Sequence, residues 1–224
     1  MKQLVITTAA LISLFMPTGF AQLFPKVDKP KSDEMSMLVL QFAYDNDGKM
    51  ENVLNMNFTG WAPAVKGLDG KIVPFRKYDM GANFTNIYYA ENLPAGEYTL
   101  IGFYHVYTDY GKLKEFETAQ GKQHIPSYEP YVDRPYHVKQ LIPLKQAVVV
   151  KLEPNKVMTM GSYAVKFKWV GGASGTTDDR WKVIEDQTSI TLEDPASETV
   201  IRYIKTWATP AWKKWNAKNP VEPL

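Results

Sequence analysis

The feature that most restricts the fold of this chain is strict alternation in "KVMTMGSYAVKFKWV", residues 156–170. Val157, Thr159, Gly161, Tyr163, Val165, Phe167 and Trp169 alternate with Met158, Met160, Ser162, Lys166 and Lys168. Successive side chains of an extended strand point to opposite faces, so this pattern predicts a half-buried strand with the first set turned inward. Similar runs recur along the chain. "MSMLVLQFAY" starts at Met35, "VLNMNFTGW" places Leu54, Met56 and Phe58 on one side, and "KIVPF" after Asp69-Gly70 reads as the return arm of a hairpin. "NFTNIYYA", "QAVVVKLEP" and "KVIEDQTSITLE" supply further strands, with Glu153-Pro154-Asn155 as a turn. About eight short strands separated by turn signals, with no helical pattern among them, predict a mainly β fold: an antiparallel β-sandwich over residues 35–192.

The run "YAENLPAGEYTLIGFYHVYTDYG", residues 89–111, crowds five tyrosines, a histidine and an aspartate behind a turn signal. Alternation puts Tyr98, Leu100, Gly102, Tyr104 and Val106 on one face and Ile101, Phe103, His105 and Tyr107 on the other, as in a central strand buried on both sides. Pro94 presets φ for the turn and Gly96 admits a positive φ. Asn92, Leu93, Pro94, Gly96, Tyr98 and Leu100 form a pattern that resembles exported bacterial β-sandwich proteins of the carboxypeptidase-regulatory or transthyretin-like type. The resemblance implies an accessory, binding or structural module, and it carries no catalytic residue onto this chain.

Residues 1–21 have the layout of a secretory signal peptide: Lys2, an apolar run from Leu4 to Met16, then Pro17, Gly19 and Ala21. The expectation is an exported protein, in the periplasm or on the outer surface of a bacterium, whose mature chain opens with an extended linker over 22–34. With no cysteine, the chain can form no disulfide and perform no thiol chemistry. In a eukaryotic secretory route, Asn57-Phe58-Thr59 and Asn83-Phe84-Thr85 would be glycosylation acceptors. Lys and Arg number 26 against 24 acidic residues, and no basic cluster points to a nucleic acid partner.

Candidate sites lie mainly after residue 110. Residues 111–146 hold four prolines interleaved with Tyr128, Tyr131, Tyr136, His124 and His137, and read as one long loop. Tyrosines on a proline-stiffened loop can form an amphipathic platform for a peptide or a sugar ring, or can instead close over the protein's own core. The histidines His105, His124 and His137 lack the spacing of a zinc site. A hydrolase would have to pair His105 or His137 with Asp109 or Asp133. There is no G-x-S-x-G elbow, S-x-x-K pair or phosphate-binding loop. "GGASGTTDDR" lies between strands and reads as a flexible connection; Asp178 and Asp179 lack the spaced partners of a calcium loop. No cofactor or metal is expected.

From Asp194-Pro195 the pattern changes to a capped helix, with Val200, Ile201, Ile204, Trp207 and Ala208 on one stripe and Trp212 and Trp215 beyond Pro210. This tail, 193–224, could dock on an open sheet face or lie on an anionic membrane beside Arg202, Lys205, Lys213 and Lys214. Taken together, the sequence predicts a non-enzymatic envelope module that contacts a protein or glycan through residues 111–146.

Overall fold

The computed structural model describes residues 28–46, 49–51, 60–78, 87–120, 130–168, 182–195 and 221–222. They form a mainly β structure of two sheets. The strands are β1 (Ser36–Asn46), β2 (Lys49–Glu51), β3 (Trp61–Lys66), β4 (Arg76–Tyr78), β5 (Ile87–Leu93), β6 (Gly96–Thr108), β7 (His137–Leu152), β8 (Val157–Lys166), β9 (Ser189–Asp194) and β10 (Val221–Glu222). One helix, α1 (Tyr110–Gln120), follows β6. The larger sheet runs β10-β8-β1-β5-β4, with β2 paired to β1 and β9 to β8; the smaller runs β3-β6-β7.

The larger sheet is mixed rather than purely antiparallel, because β1 and β8 pair in parallel from Met37↔Val157 to Tyr44↔Val165. A parallel pair needs a long crossover, and here everything from β2 to β7 supplies it. Ser36 locks the entry of this pair: its hydroxyl donates to the Glu153 carbonyl at 2.7 Å and accepts from the Lys156 N–H at 3.1 Å.

Both sheets contribute to a single apolar cluster. Leu38, Leu40 and Phe42 of β1 and Met160, Tyr163 and Val165 of β8 join Trp61, Tyr98, Leu100, Phe103, Ile142 and Val150 from the smaller sheet. Phe42 stacks on Phe103 at 3.9 Å between ring centroids, and Phe103 meets Tyr163 edge-on at 5.5 Å. The buried Tyr88 hydroxyl donates to the Trp61 carbonyl at 2.8 Å, so a hydrogen bond links β5 to β3 across the cluster. Each fully buried ring of this kind contributes roughly 1.5–3 kcal/mol of transfer free energy. The opposite face of the large sheet is buried as well, with Met37, Val39, Gln41, Ala43, Thr159 and Ser162 all at 1% exposure or less. Of the helical tail expected over 193–224 to cover such a face, Glu193 and Asp194 end β9, and 196–220 and 223–224 lie outside the described residues. After residue 220 the chain returns as a strand, with Val221 and Glu222 pairing in parallel with Val157 and Met158.

Two irregularities overturn the face assignments read from alternation. In β8 the register with β1 shifts between Val39 and Gln41, opposite Met160 and Gly161, where Gly161 takes φ +97°. A positive φ costs glycine little, and the extra residue inverts the parity. Met158 and Met160 before it therefore share the core face with Tyr163 and Val165 after it. In β6 the extra residue is Ile101: Val65 pairs with Leu100 and Ala64 with Gly102. Tyr98 and Leu100 thus point the same way as Phe103 and His105, not opposite to them.

The "LPAGEY" turn does more than launch a strand, since β5 belongs to the larger sheet and β6 to the smaller. It is the corner between them, held by the Tyr98 hydroxyl donating to the Pro94 carbonyl at 2.8 Å, with Gly96 at φ +146°. The expected linker is fastened at its far end to this corner. The Asn92 carboxamide accepts from the Lys31 N–H at 2.8 Å and donates to the Lys29 carbonyl at 3.2 Å. Arg76 holds Asp28 at 2.8 Å and Glu91 at 3.1 Å.

Candidate functional site

Residues 111–146 are not one loop. Their first ten residues are α1 and their last ten belong to β7, with 121–129 outside the described residues. The helix signal missed in the sequence is Asp109. Its carboxylate accepts the Lys112 N–H at 3.0 Å, and its carbonyl accepts the Leu113 N–H at 2.9 Å, which caps the first turn. The helix is short and its apolar content is thin, so its periodicity was too weak to read. Leu113 is buried, and Phe116 lies 5.3 Å from Tyr136 between ring centroids. The backbone ties the two ends of the segment together through the Asp109 N–H donating to the Tyr136 carbonyl at 2.9 Å.

The candidate tyrosines and histidines separate. His124 and Tyr128 lie outside the described residues. Tyr136 is buried under α1, and His137 meets its ring edge-on at 4.9 Å. Tyr131 packs against the core, and its hydroxyl donates to the Pro63 carbonyl at 2.9 Å; burial holds that phenol far above its ordinary pKa. Tyr131 and Tyr136 therefore close over the protein's own core instead of presenting an open aromatic platform. Trp207, Trp212 and Trp215 fall outside the described residues.

The carboxylates that would have to work with histidine are engaged elsewhere. Asp109 caps α1, and the Lys112 N–H holds its carboxyl below the usual range, aided by the Lys112 ammonium at 3.5 Å. Asp133 is exposed and paired with Lys139 at 2.9 Å, a bond that likewise lowers its pKa. His105 sits inside the core face of β6, 5% exposed, with its ring 4.8 Å from Trp61 and 5.9 Å from Tyr107. Its Nδ1 has no hydrogen-bond partner, and burial pushes its pKa down to about 4. It is a neutral imidazole packed among aromatic rings, with no carboxylate paired to it among the described residues. No group of three or more His, Asp or Glu side chains is placed to hold a metal ion among the described residues.

What the fold does present outward is one side of β7. Odd-numbered residues Lys139, Leu141, Pro143, Lys145, Val149 and Lys151 are exposed, while Gln140, Ile142, Val150 and Leu152 are buried. The alternation survives because β7 passes the irregularity opposite Ile101 with an odd step, from Pro143 to Val148, whereas β6 takes an even one, from Gly102 to Leu100. Leu141 is 38% and Val149 53% exposed. Tyr104, opposite Leu141, carries the Lys139 ammonium over its ring at 5.4 Å. This mixed apolar, aromatic and cationic strip was legible as lysines at positions 139, 145 and 151, but the reading of 137–146 as loop hid it.

No helix among the described residues is long and apolar enough to cross a membrane. Comparison with protein-family models, with curated proteins and with solved structures gives no match for this chain.

Proposed function

We propose that the chain is an exported, non-enzymatic binding or structural module of the bacterial envelope. In this reading it is built as a sandwich of the two sheets and contacts a protein or glycan partner through the exposed part of residues 111–146. The observation that carries the proposal is the outward side of β7, where Leu141 and Lys139 stand beside Tyr104, with Lys145 exposed farther along, on a strand that has twelve paired positions with β6. Apolar side chains flanked by cations on a rigid sheet suit recognition, since little order is lost on binding.

Two features of the sequence support the same reading. The leader over residues 1–21 is that of an exported protein, and the Asn92–Leu100 motif resembles accessory modules of the carboxypeptidase-regulatory or transthyretin-like type. The structural duties of Asp109 and Asp133 and the desolvated state of His105 leave those residues poorly suited to acid–base work.

Crosslinking in intact cells followed by purification of the tagged protein tests this. The wild type is expected to bring down a defined envelope component, and a Leu141→Asp/Lys139→Ala variant to lose it while keeping its melting temperature. An unchanged yield from the variant would reject residues 111–146 as the contact surface, and no adduct from the wild type would reject the module itself.

A further inference from the structure

We propose that the second half of β7, Val148–Leu152, is a docking edge for an acidic, extended polypeptide segment, which adds a strand to the smaller sheet. The inference rests on the binding reading above and narrows its partner to a protein.

The argument starts from which sheet edges are closed. The edge of β3 is covered: the Val73 N–H donates to the Val65 carbonyl at 2.8 Å, Lys66 bridges Ile72, and the Tyr131 hydroxyl occupies the Pro63 carbonyl. The outer edge of β8 carries β10 at its start and β9 along its second half. Beside the first half of β7 the segment at Val183 is held by the Gln140 side chain, whose carboxamide accepts from the Val183 N–H at 3.1 Å and donates to the Val183 carbonyl at 2.9 Å. Residues 148–152 pair with Gly96–Leu100 on one side and make no backbone hydrogen bond on the other among the described residues.

An edge of this kind displays amide donors and acceptors at the repeat of an extended backbone, about 3.3 Å per residue, which another strand matches and a sugar does not. Three consecutive β-branched residues, Val148–Val150, keep it extended. Charge then selects the occupant. Across its 16 residues β7 carries Lys139, Lys145 and Lys151 and no acidic residue, and all three lysines are exposed. Lysines on an edge oppose indiscriminate pairing. A second copy of β7 would bring three more lysines to the seam, whereas a strand flanked by Asp or Glu would meet Lys145 and Lys151 with opposite charge. Val149, exposed between those lysines, offers the apolar contact in the middle.

The test uses the intact protein and two blocked seven-residue probe peptides, Glu-Thr-Val-Thr-Val-Thr-Glu and the same peptide with Lys at both ends. Amide exchange of residues 148–152 is followed by NMR. The acidic probe is expected to slow exchange at this edge at least about tenfold, and the basic probe to leave it unchanged. A Lys145→Glu/Lys151→Glu variant, whose exchange in the core strands must match the wild type, is expected to reverse the preference. Protection by neither probe, equal protection by both, or protection that rises with protein concentration alone would overturn the proposal, the last in favour of self-association. Should the variant still give the wild-type crosslinked adduct in cells, the docking edge is rejected while the module reading stands. Should the wild type give no adduct, the module reading is rejected.

Discussion

Acidification to pH 5 should destabilise this protein through the buried imidazole of His105. The imidazole is 5% exposed, its Nδ1 is unbonded, and burial lowers its pKa from 6.5 to about 4. The unfolded chain therefore binds the proton that the folded chain refuses. For a base whose pKa falls on folding, stability is complete above pH 6.5, is lost as pH drops towards 4, and falls no further once both states are protonated. The full difference of two and a half pKa units corresponds to about 3 kcal/mol, and at pH 5 about 2 kcal/mol is already gone. Urea unfolding at pH 8 and at pH 5 measures it: with a slope near 2 kcal/mol per molar, the midpoint should fall by about 1 M. Carboxylates also titrate in this range, so His105→Leu is the control that isolates the imidazole. The leucine removes an unpaired polar atom and should leave stability at pH 8 within about 1 kcal/mol of the wild type, while its midpoint should shift less on acidification by that 1 M. If the variant and the wild type lose the same stability between pH 8 and pH 5, His105 is not the titrating group and the burial argument is wrong.

Other perturbations have distinct signatures. Tyr131→Phe deletes the hydroxyl that serves the Pro63 carbonyl and should cost about 1 kcal/mol, read as a fall of about 2–4 °C in melting temperature. Gly102→Ala should cost roughly 2–3 kcal/mol, because a Cβ there would collide with the Ile142 carbonyl oxygen and approach the Pro143 Cα to 2.8 Å; a melting temperature within 2 °C of wild type, at about 1 kcal/mol or less, would contradict that packing. Asp109→Ala should speed amide exchange at Lys112 severalfold and leave β8 unchanged, since it removes only the cap of α1. N-terminal sequencing of the protein from the envelope fraction should begin at Gln22; a sequence beginning at Met1 would refute the expected cleavage.

The existence of strands was far easier to read than the direction of their side chains. Alternation located β1, β6, β8 and the second half of β7, because extended backbone imposes a period of two on any half-buried segment. It failed at Ile101 and at Gly161, where one inserted residue reverses the parity of everything beyond it. Nothing in a single strand's pattern records how many residues its neighbour spends on the same distance. The glycines in "TMGSY" and "LIGFY" were visible pointers to the two bulges, but a glycine in a strand does not say whether a residue is inserted beside it. Prolines and tyrosines made 111–146 look like loop, yet Pro143 sits within β7, the last strand of the smaller sheet, and an edge strand is where a sheet tolerates proline. The parallel neighbours β1 and β8 were out of reach for a different cause, since their pairing depends on contacts more than a hundred residues apart.

That parallel pair sets a clock. Ser36 meets Glu153 and Lys156 across separations of 117 and 120 residues, and β8 ends at Lys166. During synthesis at about 5–20 residues per second, β1 waits roughly 6–26 s for its partner to be made. Pairing this remote in sequence is also slow to form once both strands exist. The nascent chain must therefore spend seconds without the centre of its larger sheet, an interval in which a translocase or a chaperone can engage it as unfolded polypeptide.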